Sequence, residues 1–223
     1  MKSGAWSKAI PLWEKLEARY PFGKYAQQAQ IEIAYCHYKD NERGQALVAI
    51  DRFIRLNPNS EAVDYAYYLR GLVNFNEQQG FLSTLGGQDL SERDLKAARE
   101  AFDSFKVLVT RFPDSKYSAD GTARMKYLVN SMAQGEVNIA RYYFLKGAFV
   151  AAANRAQAVV KQYSQAPAIE EALYIMVRSY DQLGLNDLKA DADRVFKQNF
   201  PNSTLPLTGV GGKASTSWWQ FWK

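Results

Sequence analysis

Arg19-Tyr20-Pro21-Phe22-Gly23-Lys24-Tyr25 returns 92 positions later as Arg111-Phe112-Pro113-Asp114-Ser115-Lys116-Tyr117. Each copy closes one apolar-periodic segment and opens another: an aromatic residue ends a helix, proline stops it, and Lys-Tyr starts the next. Leu56-Asn57-Pro58 and Phe200-Pro201 carry related punctuation, and Tyr163 to Pro167 a weaker form. The prolines at 21, 58, 113, 167 and 201 lie 37, 55, 54 and 34 residues apart. A period of about 34 residues marks helix-turn-helix repeats of the tetratricopeptide kind, whose neighbours stack to bury one another. The expected fold is therefore an all-α solenoid of helical hairpins. Such solenoids hold other molecules rather than transform them.

Working outward, the spacing of apolar residues predicts helices over 5–19, 24–39, 42–56, 60–78, 92–112, 118–146, 149–163, 168–183 and 186–199. Pro11 is expected to kink the first or delay its start. Asn41 is expected to cap the third helix, Asn59 or Ser60 the fourth, and Ser91 with Asp94 the fifth. The predicted buried stripes are Ile10, Trp13, Leu16 and Tyr20; Ile31, Ala34, Tyr35 and Tyr38; Ala46, Ile50, Phe53 and Ile54; and Val150, Ala153, Val160 and Tyr163. Gly147 and Gly184 are expected to end helices, and Gly135 to kink the long one. The repeats then run over 1–20 (partial), 21–58, 59–113, 114–166 and 167–200, with an inserted glycine-bearing loop over 79–93. From 201 to 223 the chain is expected to be a flexible tail. It ends in Trp218, Trp219, Phe221 and Trp222, aromatics costly to leave in water. They could anchor on the solenoid, in a partner pocket or at a membrane interface. Deleting 205–223 is expected to leave the solenoid folded.

The 223 residues are 47% hydrophobic and 23% charged, enough for a core and too apolar for wholesale disorder. The net charge of +5 comes from interleaved acids and bases, and no basic run tracks a nucleic-acid backbone. One cysteine, Cys36, cannot form an internal disulfide, and no stretch is long and apolar enough to span a membrane. Gly4-Ala5-Trp6 reads as a turn already inside a repeat, so a preceding helix is expected to be missing.

Chemistry is sparse. The single histidine, His37, sits beside Cys36 on a helix, where neighbours point about 100° apart and chelate poorly. Gly209-Val210-Gly211-Gly212-Lys213-Ala214-Ser215 fails as a phosphate loop in glycine spacing, in Ala214 and in lacking a flanking strand and helix. No enzyme, cofactor or metal is expected. Two basic sites stand out. Arg52 and Arg55 lie three apart on one helical face ahead of a tyrosine-rich helix, a pattern that suits a carboxylate with an aromatic neighbour; they could equally bridge to nearby acids. Asn154-Arg155 interrupts an alanine-rich helix, either as a solvated charge or as a salt-bridge contact to a partner.

These residues resemble the BamD/ComL family of outer-membrane lipoproteins of the β-barrel assembly machine, over roughly residues 4–200. The carriers are Gly4-Ala5-Trp6, Arg19-Tyr20-Pro21-Phe22-Gly23 and Ala49-Ile50-Asp51-Arg52-Phe53-Ile54-Arg55-Leu56-Asn57-Pro58. Further carriers are Tyr68-Leu69-Arg70-Gly71-Leu72, Gln79-Gly80-Phe81 with Arg93-Asp94, Arg99 with Ala101-Phe102, and Asn154-Arg155. The resemblance implies a periplasm-facing solenoid tethered to the outer membrane by a lipidated N-terminal cysteine, expected to be absent from this chain. It implies as partners the periplasmic domain of BamA, other Bam lipoproteins and unfolded outer-membrane proteins. Arg155, with Asn154, becomes the BamA contact. Arg52, Arg55, Tyr20 and Tyr25 become candidates for the substrate groove. The alternative is another periplasmic tetratricopeptide adaptor, coordinating envelope division or peptidoglycan synthesis. Arg155→Glu is expected to weaken partner binding and leave melting unchanged.

Overall fold

The computed structural model describes residues 6–75, 92–205 and 209–210, with only the backbone of 92–95. The inserted segment (apart from 92–93) and the terminal aromatics Trp218, Trp219, Phe221 and Trp222 lie outside them. The described residues form helices and no strand. In chain order these are α1 (Trp6–Arg19), α2 (Lys24–Lys39), α3 (Arg43–Leu56), α4 (Val63–Asn74) and α5 (Glu92–Arg111). They continue with α6 (Ser118–Leu145), α7 (Phe149–Gln162), α8 (Ile169–Gln182) and α9 (Asn186–Asn199). Neighbouring helices pack in sequence, α1 on α2, α2 on α3, α3 on α4, α4 on α5, α7 on α8 and α8 on α9, the pairing of a tetratricopeptide-type solenoid of helical hairpins. Two compact units divide the chain at Leu128/Val129, within α6.

In the first unit the core is built on Ile31 and Ala34 of α2, Ala46, Ile50 and Phe53 of α3, and Val63, Ala66, Leu69 and Val73 of α4. These recur every three or four residues, so each helix turns one apolar stripe inward. Alanines at the crossings (Ala34, Ala46 and Ala66, all fully buried) let the backbones approach closely. Polar side chains fix the register between helices. Asn57 donates to Gln30 at 2.8 Å, Ser60 to Gln27 at 2.8 Å and Arg43 to Asn74 at 2.8 Å.

Pro11 does not delay α1, which runs from Trp6 through it. The expected stripe there is only partly realised: Ala9 is the buried residue, Ile10, Trp13 and Leu16 are half-buried, and Tyr20 is exposed. Asn41 does not cap α3. It takes a left-handed conformation (φ 60°) in the turn after α2, where the Glu42 N–H reaches the His37 carbonyl at 2.9 Å. Asparagine tolerates that region better than most residues, which explains its presence without a capping bond. Ser60 sits in the turn before α4, its hydroxyl accepting the Ala62 N–H at 3.3 Å. α6 passes Gly135 without a break.

In the second unit α8 is buried on nearly every side, with Ala172 to Val177, Ser179 and Tyr180 all inside. α7 buries Ala152, Ala153, Ala156 and Val159, whereas Val150, expected inside, is exposed. The alanine ridge allows close approach of α7, and Val150 in its first turn is left beside the hairpin bend. Gly147 (φ 77°) and Gly184 (φ 71°) make the left-handed bends between helices that a side chain would strain. The packed chain runs past Pro201 as far as Leu205, which is buried. A chain ending at Thr204 is therefore expected to be about 1.5–3 kcal/mol less stable than one ending at Val210, as thermal melting of the two would measure.

Candidate functional site

Among the described residues, three places gather side chains able to bind another molecule, two in the first unit and one in the second. The first is the α1–α2 corner. Tyr20 and Tyr25 pack at 5.8 Å between ring centroids, Arg19 lies 5.7 Å over Tyr20, and Phe22 is 88% exposed. In the second copy of the motif, Phe112 packs against Tyr67 of α4 and Tyr117 stacks on Tyr68, 4.8 Å away at 17°. The same word is therefore covered in one repeat and open in the other: among the described residues, no tyrosine-bearing helix lies over the first.

Arg52 reaches Glu17 of α1 at 2.9 Å, which sets the last turn of α3 beside the last turn of α1. The structure thus brings Tyr20, Tyr25, Arg52 and Arg55 to one end of the unit. Arg52 is engaged by Glu17. Arg55 is exposed and makes no ion pair with another described residue.

The second place is a groove of about 840 Å³ between α2, the start of α4 and the 114–117 turn. None of Tyr20, Tyr25, Arg52 or Arg55 lines it. Its wall is Tyr35, Tyr65 and Tyr117, with Ile31 beneath, and Tyr65 and Tyr117 lie 5.3 Å apart. Four carboxylates, Glu32, Glu61, Asp64 and Asp114, share it with one ammonium, Lys116. Asp64 is committed: it accepts the Tyr65 N–H at 2.6 Å and the Ser115 hydroxyl at 2.7 Å. Burial, then Tyr35, Tyr117 and Glu32, push the Tyr65 phenol well above its ordinary pKa, so it stays protonated. Sequence reasoning missed this groove. Its three stretches are far apart in the chain; the one local signal was the tyrosine richness of 65–68 facing Lys116-Tyr117.

The third place is on α6 and α7. Arg155, half-exposed, donates from Nη1 to Glu136 Oε2 at 3.2 Å, and Glu136 is 8% exposed. Asn154 beside it is exposed, as is Val150 one turn earlier. A buried carboxylate thus holds one nitrogen of the guanidinium, and the rest of the fork can face a further acceptor. Glu136 was not visible as a partner in the sequence, since 19 residues and a hairpin turn separate the two.

No group of three or more His, Cys, Asp or Glu side chains among the described residues is placed to hold a metal ion, and no described helix is long and apolar enough to cross a membrane. Cys36 is buried, and His37 Nδ1 lies 2.6 Å from Glu42 Oε2.

Comparison with known proteins adds the family. The model of a family described as outer membrane lipoprotein, YfiO, matches residues 1–195. The outer membrane protein assembly factor BamD of Neisseria meningitidis serogroup A is 47% identical over 222 residues, covering 100% of this chain and 83% of that protein. BamD of Xylella fastidiosa strain Temecula1 is 40% identical across 91% of this chain and 69% of its own length. BamD of Vibrio cholerae is 38% identical across 84% and 78%. With a family model spanning most of its length and relatives this similar over most of the chain, the chain belongs to the YfiO family of outer membrane lipoproteins, the family of the assembly factor BamD.

Proposed function

We propose that this chain is a scaffold of the outer-membrane β-barrel assembly machine that docks on the periplasmic domain of BamA through Arg155 and Asn154. Membership of the family places the chain in outer-membrane protein assembly, as a lipoprotein component of the Bam complex and not an enzyme. The finer assignment is supported by one observation above others: the Arg155 guanidinium, held by a nearly buried carboxylate yet half-exposed, beside the exposed Asn154. Such a group offers an orientated, partly desolvated donor to an acidic residue, the arrangement in which an interfacial charge pair contributes most.

The N-terminal unit receives unfolded barrel polypeptides. The exposed Tyr20–Tyr25 pair and Arg55 lie at one end of it, suited to an aromatic residue with a free carboxylate, and Arg52 is drawn in when Glu17 releases it. Each charge-assisted contact is worth about 1.5–3 kcal/mol, so the hold is reversible, as a handover step requires. The solenoid faces the periplasm, tethered by an N-terminal lipid, and other Bam lipoproteins join it there. No observation favours the alternative adaptor of envelope division or peptidoglycan synthesis.

The test is binding of the folded chain to purified periplasmic domains of BamA. Micromolar or tighter affinity that depends on Arg155 sustains the assignment; no binding by the wild type removes it.

A further inference from the structure

The groove between α2, α4 and the 114–117 turn has a chemistry opposite to that of the arginine-bearing corner. The chain as a whole carries +5, yet here four carboxylates face a single ammonium. Two of the four are tied into the fold: Asp64 by Ser115 and the Tyr65 amide, and Glu32 in part by Gln28 at 2.8 Å. Glu61 and Asp114 are exposed and make no ion pair with another described residue. The wall between them is aromatic, and its ring faces carry the partial negative charge that attracts cations. A second observation shows what such a wall holds. The one ammonium in the groove, Lys116 Nζ, lies 5.0 Å from the Tyr117 ring centroid. The chain's own cation already uses one face of the tyrosine wall.

We infer that this groove receives an extended polypeptide segment through a lysine or arginine side chain, the cation lying on the Tyr65–Tyr117 wall and paired with Glu32 and Glu61. The volume, about 840 Å³, lies near the upper end of ordinary ligand clefts (roughly 300–1,000 Å³). The groove is open to solvent, so a chain can enter and leave along it without threading. Lys116 competes for the same wall, and its removal should strengthen the interaction. The inference rests on the reading of the N-terminal unit as the receiver of unfolded barrel polypeptides. It adds a second determinant: a basic side chain in the groove, in addition to an aromatic carboxylate at the corner.

The experiment uses the full chain and three fluorescent peptides, identical except for a central Arg, Gln or Glu, followed by anisotropy in low and in physiological salt. The Arg peptide is expected to bind at least about tenfold more tightly than the Glu peptide, roughly 1.4 kcal/mol or more, with the Gln peptide between them. Raising the salt should narrow the gap. Glu32→Gln with Glu61→Gln should weaken the Arg peptide about tenfold and leave the Gln peptide where it was, and Lys116→Ala should tighten the Arg peptide. Both glutamates are at least partly exposed, so circular dichroism of the double variant should match the wild type. A Glu peptide that binds as well as the Arg peptide, an equal loss for all three peptides, or no binding by any of them overturns the inference. An unfolded barrel polypeptide measured alongside separates the two levels. If it binds but ignores the double variant, only the groove assignment falls; if it does not bind at all, the reading beneath falls too.

Discussion

Phe105→Ala is expected to destabilise the protein by about 3–5 kcal/mol, read as a fall in the urea midpoint. Phe105 is fully buried on α5 and packs at 6.1 Å from both Tyr68 and Phe75. The reason it fits is Gly71. A Cβ added there would clash with the Phe105 ring, so α4 meets α5 closely only because position 71 lacks a side chain. Gly71→Ala would gain about 1 kcal/mol of helix propensity. The ring is fully buried, so it can yield only by displacing its neighbours, and overpacking of this kind costs about 1–3 kcal/mol, so the balance favours destabilisation. The pair must then be non-additive. Phe105→Ala removes all three ring atoms that clash, and the double variant should be more stable than the sum of the single effects implies. Strict additivity would mean that Gly71 and Phe105 do not share the contact.

Arg155→Ala is expected to weaken binding to the periplasmic domains of BamA by about 2–5 kcal/mol. The expectation from sequence, that changing Arg155 leaves melting untouched, does not survive the position of Glu136. Removing the guanidinium leaves a nearly buried carboxylate without this donor, at a cost of about 1–3 kcal/mol. Arg155→Glu would cost more, since it faces one carboxylate with another. The two roles can be separated. Glu136→Gln combined with Arg155→Ala replaces the buried charge with a neutral amide, so the double variant should recover most of the stability and none of the affinity. Recovery of affinity along with stability would show that Arg155 acts on the partner only through the fold.

The helices were legible because the punctuation is chemical. Proline cannot continue a helix, Gly147 and Gly184 take bends that side chains resist, and the 3.6-residue stripe marks which face is buried. What periodicity cannot supply is the identity of the neighbour. Arg52 can be read from sequence as bridging to an acid but not to which one: it is Glu17, 35 residues earlier, on the helix two elements back. Arg155 reads as an isolated charge among alanines and proves to be seated on Glu136. The groove was hidden for the same reason: 28–35, 61–65 and 114–117 each look like ordinary helix starts and faces, and only hairpin stacking makes them one surface. Val150 failed differently. The stripe was displaced because alanines, not the larger valine, form the contact ridge of α7.

α8 sets the kinetics of exchange in its half of the molecule. Its residues from Ala172 to Val177 are walled in, so their amides can meet solvent deuterium only when the surrounding helices have come apart. Those amides will be the slowest to exchange in the second unit and will report its full opening free energy. α1 stands at the other extreme. With Ala9 its sole buried residue and no amide hydrogen at Pro11, it will fray and exchange early, ahead of any change in the core.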